Sequence, residues 1–139
     1  PEEEDDEGFA RRCARVLGDD FSGNSVPVNA MREGFSVTGR VGLPTYHRGM
    51  AGHVHFVVNG RPVRDKLLLG AVRGAYADVL PRDRHPVLAL AIACDPRFVD
   101  VNVHPAKTEV RFRDPALVRG LLVSAIRDAL ASAGHRSAT

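Results

Sequence analysis

Two prolines constrain this chain more than any other residues. Pro86 and Pro96 bracket the run Val87 to Cys94, in which Leu88, Leu90 and Ile92 alternate with Ala89, Ala91 and Ala93. The run is too short for a typical buried helix, and the flanking prolines oppose its extension into one. Period-two alternation instead predicts a strand with its bulky residues on one face and its alanines on the other. Small residues leave space only for something packed closely above them. The expectation is a central strand, bulky on one side and closely covered on the other.

The neighbouring segments supply the rest of a layered domain. Val26, Val28 and Ala30 alternate with Pro27 and Asn29, and Arg32-Glu33-Gly34 reads as a turn. Phe35, Val37, Val41 and Leu43 then mark a strand with one buried face. Pro44 to Gly52, with Arg48 within it, reads as a mobile loop, after which Val54, Phe56 and Val58 lead to a turn at Asn59-Gly60. Asp65 is a good helix N-cap, followed by a stripe of Leu68, Val72, Tyr76, Val79 and Leu80 that stops at Pro81. Asp100 to Val103 and Glu109 to Phe112 read as two extended pieces joined by His104-Pro105-Ala106-Lys107. Asp114 and Pro115 open a final helix with Val118, Leu122, Ile126 and Leu130 on its apolar stripe and Gly134 at its close. A further helix is expected from Gly8 to Leu17, ended by Gly18, with Phe9, Cys13, Val16 and Leu17 on one side. The fold class is α+β: a mainly antiparallel sheet covered by helices.

A length of 139 residues suits one domain with a real core. Residues 1–7 read as an acidic linker or boundary, 8–134 as the domain and 135–139 as a tail. No apolar run approaches the roughly 20 residues of a membrane-spanning helix. The acidic beginning resembles neither a secretory signal nor a transit peptide. Cys13 and Cys94 lack metal-type spacing and point to a reducing, intracellular setting. The net charge of +2 hides a division, because residues 2–7 are all acidic and the remainder has 19 basic against 11 acidic residues. A body this basic suits either an anionic partner such as nucleic acid or simply a solvated surface.

Self-contained catalysis finds little support. Neither a G-x-x-x-x-G-K-[ST] loop nor a G-x-G-x-x-G turn is present, so no phosphate cradle is evident. Ser22, Ser25 and Ser36 lack recognisable His and Asp partners, and no catalytic residue is expected within the chain. His53 and His55 project from one face of a strand but lack a third ligand, which favours ordinary edge-strand residues and no metal site. One segment stands out. Asp100 to Phe112 carries Lys107 on a turn stiffened by Pro105, which also restricts His104. A flexible ammonium on a stiff mount suits a point-charge contact to phosphate; a solvent-facing turn lysine is the plainer alternative.

That segment, Asp-Val-Asn-Val-His-Pro-Ala-Lys-Thr-Glu-Val-Arg-Phe, resembles the signature of the MutL/PMS family of DNA mismatch-repair proteins. Phe56-Val-Val-Asn-Gly-Arg-Pro-Val-Arg-Asp-Lys66 is similar to the family's strand, turn and helix start at the expected distance, and similarity extends from about Phe9 to Ala133. The resemblance implies a fold like domain 2 of ribosomal protein S5, acting as the transducer domain beside a GHKL-type ATPase domain. ATP and Mg2+ would belong to the parent protein, with none bound by this chain alone. Lys107 matches the lysine that reaches the γ-phosphate across the domain boundary, with Asn102, His104 and Pro105 as motif support. Lys66 matches a basic helix-start position associated with DNA binding; Arg61, Arg64 and Arg73 are further DNA-contact candidates. The implied partners are DNA, a mismatch-recognition protein of the MutS type, the adjacent GHKL domain and a second copy of the parent. The implied location is the bacterial cytoplasm with the nucleoid, or the nucleus in a eukaryote. Other readings are a stand-alone nucleic-acid-binding module akin to ribosomal protein S5, and the transducer domain of another GHKL protein such as a gyrase subunit or a chaperone. A small-molecule kinase of related fold would need a Gly/Ser-rich phosphate loop, which is absent.

Overall fold

A computed structural model describes residues 18–48, 53–104 and 107–137. The acidic start, the helix expected over Gly8 to Leu17 and the end of the expected tail lie outside the described residues. A short helix α1 (Asp19–Gly23) leads into strands β1 (Ser25–Arg32) and β2 (Phe35–Gly42). These pair antiparallel, and both residues of their connecting turn, Glu33 and Gly34, have positive φ (47° and 86°). Next come the two-residue strand β3 (His47–Arg48), β4 (Val54–Val58), β5 (Arg61–Val63) and helix α2 (Lys66–Tyr76). Asn59 and Gly60 repeat the left-handed turn (φ 49° and 82°), whose twist suits a tight hairpin and sets Val58 opposite Arg61.

The second half contains β6 (His85–Pro86), β7 (Leu88–Ala93), a 3-10 turn over Pro96–Phe98, β8 (Val99–His104), β9 (Lys107–Phe112) and helix α3 (Pro115–Ser137). The main sheet runs β1-β2-β7-β4-β5. Its pairings are antiparallel except for β4 beside β7, which are joined through β5 and α2 as parallel neighbours require. Both edge strands carry a proline, Pro27 on β1 and Pro62 on β5, which withholds an N–H from any chain that might pair there. Strands β3 and β6 form a small ladder of their own, as do β8 and β9.

As the bracketing prolines predicted, β7 is the central strand. Leu88, Leu90 and Ile92 are at most 1% exposed and share one core with Val37, Val41, Phe56, Val58 and the apolar stripes of α2 and α3. The alanine face departs from expectation. Ala89 is buried, Ala91 half-buried and Ala93 exposed, because α2 and α3 both pack on the opposite face. Helix α2 begins where Asp65 predicts, with its carboxylate accepting from the Leu68 N–H at 3.2 Å. It stops at Tyr76, short of Val79, which is exposed at the turn before Pro81. Tyr76 is buried; its hydroxyl donates to the Gly42 carbonyl at 2.5 Å, and burial raises the phenol pKa well above its ordinary value. Helix α3 is capped by Asp114, whose carboxylate accepts from the Leu117 N–H at 3.2 Å, and it runs on through Gly134 to Ser137. A single glycine costs a helix only about 1 kcal/mol, so Gly134 does not end it.

Two further readings need correction. His47 and Arg48, taken as part of a mobile loop, form β3 and pair with Pro86 and His85. The strand carrying His55 is not an edge strand, since β4 has β7 on one side and β5 on the other.

Candidate nucleotide-relay hairpin and basic surface

The β8–β9 hairpin is built on an aromatic foot. Phe35 sits 5.8 Å from Phe98 and 6.2 Å from Phe112, ring centre to ring centre, and the Arg113 N–H donates to the Phe98 carbonyl at 2.8 Å. Val99, Val110 and Phe112 are buried in the main core. Val101 lies on the same side as Val99 and is paired with Val110, yet it is 39% exposed. The apolar face of the hairpin therefore begins inside the domain and emerges from it. At the far end His104 pairs with Lys107, which opens β9, and Asn102 pairs with Glu109. Pro105 lies outside the described residues. The sequence pattern showed the two extended pieces; that they form one hairpin anchored by three phenylalanines was not evident from it.

The four basic candidates are all exposed, and they lie on β5, on the link that follows it and on α2. Arg61 opens β5 on the same side as the buried Val63, Lys66 is the first residue of α2, and Arg73 lies in its last turn. Arg73 thus meets the negative end of the helix dipole, whereas Lys66 meets the positive end, with the Asp65 carboxylate beside it. Arg64 differs from both. The β4–β5 register sets Val58, Val57 and Phe56 opposite Arg61, Pro62 and Val63; His55 is the next residue of β4, and Arg64 follows directly after β5. His55 is half-buried there, and burial first, then His53, then Arg64, hold its pKa below the ordinary value.

This His53–His55–Arg64 grouping was missed at the level of residue pattern. The Asn59-Gly60 turn could have revealed it, because a two-residue hairpin loop fixes every cross-strand pair. On β2, Arg40 donates from Nε to the Ser25 hydroxyl and from Nη2 to the Ser25 carbonyl, each at 2.9 Å. These bonds tie the start of edge strand β1 to its neighbour. Among the described residues, no group of three His, Cys, Asp or Glu side chains is arranged to hold a metal ion, and no helix is long and apolar enough to cross a membrane.

A five-stranded, mainly antiparallel sheet with two helices on one face has the α+β form of ribosomal S5 domain 2-like folds. The N-terminal domain of a DNA repair protein shares this architecture, with a TM-score of 0.69 at 19% identity over 86% of this chain and 40% of that one. Residues 13–131 match the family described as DNA mismatch repair protein, C-terminal domain, and the chain belongs to that MutL-type family. The DNA mismatch repair protein MutL of Mesorhizobium japonicum is 62% identical over 133 residues, 96% of this chain and 21% of the relative. MutL of Caulobacter vibrioides is 58% identical over all 139 residues, 22% of its length. The chain thus spans about a fifth of the length of the curated relatives it matches.

Proposed function

We propose that this chain is the transducer domain of a MutL-type DNA mismatch-repair ATPase, with Lys107 contacting the γ-phosphate of ATP held by an adjoining GHKL domain. The β8–β9 hairpin carries the reading. Its base is fixed in the core, its apolar face emerges at Val101, and its far end opens β9 at Lys107 within the thirteen-residue family signature. A charge-assisted contact made to ATP and lost in ADP biases the relative placement of two domains. Mg2+ and the nucleotide would be held by the adjoining domain, and this chain would supply only the reporting ammonium. Paired parents would close around DNA, in concert with a mismatch-recognition protein of the MutS type. The fold neighbour supports this arrangement, being an N-terminal domain of a DNA repair protein more than twice the length matched here.

Lys107→Ala in the intact protein is expected to lower steady-state ATP turnover, because it removes a coupling of about 1–3 kcal/mol that would shift the domain arrangement roughly 5- to 150-fold. Its far-ultraviolet circular dichroism should match that of the natural protein. Undiminished turnover would remove the relay role.

Lys66, with Arg61, Arg64 and Arg73, would contribute phosphate contacts to a DNA groove. Charge reversal by Lys66→Glu is expected to weaken duplex binding for all sequences alike and to lower the slope of log affinity against log salt by about one. Fluorescence anisotropy across a salt series checks this. An unaltered slope would count against the contact.

A further inference from the structure

We propose that His53, His55 and Arg64 form a proton-linked contact for a backbone phosphate of nucleic acid, on the sheet face opposite the helices. Sequence and register carry the case together. Residues 35–64 contain no Asp or Glu, yet they include Arg40, Arg48, Arg61, Arg64, His47, His53 and His55. Folding turns that stretch into β2 to β5, of which β2, β4 and β5 belong to the main sheet, where β7, itself without Asp or Glu, lies between β2 and β4. On the face of that sheet away from the helices His55 is paired with uncharged Ala89 of β7, with Arg40 one strand further, and Arg64 directly follows β5, near enough to act on His55 electrostatically. His53 stands just before β4 and is near enough to act on His55 electrostatically.

Every strand packed against β4 therefore presents His55 with either a cation or an uncharged residue. The nearest carboxylate in sequence, Asp65, is turned to the start of α2 and is engaged by the Leu68 N–H. Arg64 is exposed and the two histidines are half-buried; once protonated they oppose one another and Arg64, and no strand of the main sheet carries an Asp or Glu to balance them. An anion placed between them relieves the repulsion, which is the physical sense of an anion site. The DNA-contact reading supplies that anion as a backbone phosphodiester. Neighbouring strands lie about 4.8 Å apart, so His55 and Arg64 can share one phosphate group.

Protonation and binding are then coupled. In the free protein, burial, His53 and Arg64 keep His55 below its ordinary pKa. A bound phosphate supplies the missing negative charge and raises it. Binding consequently takes up a proton, and affinity increases as pH falls through the region near and below the ordinary histidine value of about 6.5. Arg64 stays charged throughout and supplies the part of the contact that pH does not alter.

This inference deepens the DNA-contact reading and rests on it. The test is anisotropy of a short fluorescent DNA duplex with the intact protein, at constant ionic strength, between about pH 7.5 and about pH 5.5. Affinity is expected to rise about three- to tenfold over that interval, against a ceiling of tenfold per pH unit for each proton taken up. The double variant His53→Gln with His55→Gln should lose most of that rise. His55→Arg should bind at the higher pH as tightly as the natural protein does at the lower one, with a flattened profile. Arg64→Gln should weaken binding at both ends. If Lys66→Glu weakens binding but the natural protein shows no pH dependence, the groove survives and the proton-linked contact is wrong. Retention of the full slope by the histidine double variant overturns it equally. A slope seen with polyglutamate and not with DNA overturns it in favour of an acidic protein partner.

Discussion

Gly39→Ala is expected to destabilise the domain by about 4–5 kcal/mol or more, the exceptional end of single-residue effects. Gly39 lies in the middle of β2, where φ is +137°, and pairs with Leu90 of the central strand. A Cβ built there runs into the Ala89 carbonyl oxygen and comes within 3.0 Å of the Leu90 Cα. Both are backbone atoms of β7, so no side-chain rotation can make room. The backbone conformation alone costs an L-residue roughly 1–3 kcal/mol, and the overlap with β7 adds to it. Relief requires β2 and β7 to separate, which opens the core between Val37, Val41 and Leu90. Small domains have only about 5–15 kcal/mol of stability to lose. Urea denaturation should show a midpoint far below that of the natural chain, or no folded baseline. A near-natural midpoint would mean that this part of β2 is not packed as described.

Leu90→Ala should cost about 2–5 kcal/mol through lost burial and the cavity left behind. Leu90 is wholly buried at the centre of the sheet, with Val37 and Val41 on one side and Phe56 on the other within one core. The surrounding strands are held by pairing on both sides and can collapse into the space only partly. Leu69 supplies the comparison, since it is 38% exposed on α2 and its truncation should stay near ±0.5 kcal/mol. For both variants the dependence on denaturant should keep its natural slope, because a cavity alters stability more than the area exposed on unfolding. Equal midpoints for the Leu90 and Leu69 variants would contradict the position given to β7.

Why some of this could be read from the residues and some could not is clearest at particular positions. Asp65 and Asp114 announced their helices because an N-cap is a local hydrogen bond between residues three apart, and both bonds are present. The alternation in Val87 to Cys94 named the central strand because one face had to be bulky. In contrast, β3, β6 and α1 are too short to establish a period, although Phe21 of α1 is buried beside Tyr46, 6.2 Å between ring centres. Val79 and Leu80 continue the α2 stripe in sequence but fall past its end, because Pro81 removes the geometry that would carry the helix onward. The parallel placement of β4 beside β7 is a long-range choice that no local pattern encodes. At the candidate site, Lys107 owes its prominence to family resemblance, since its spacing alone is equally that of a surface turn. The His55–Arg64 pair needed the hairpin register, which a list of charged residues does not contain.

The sheet order has a bearing on how the domain is made. Its middle strand is synthesised long after the two strands it must separate, with residues 88–93 inserting between 35–42 and 54–58. A nascent chain that has emerged only as far as α2 contains the residues of both outer hairpins but not the strand that covers their inner edges. Such edges are templates for pairing with other chains. The ribosome-bound intermediate is consequently the stage at which a mismatched partner strand, or a chaperone that shields edges, has its opportunity.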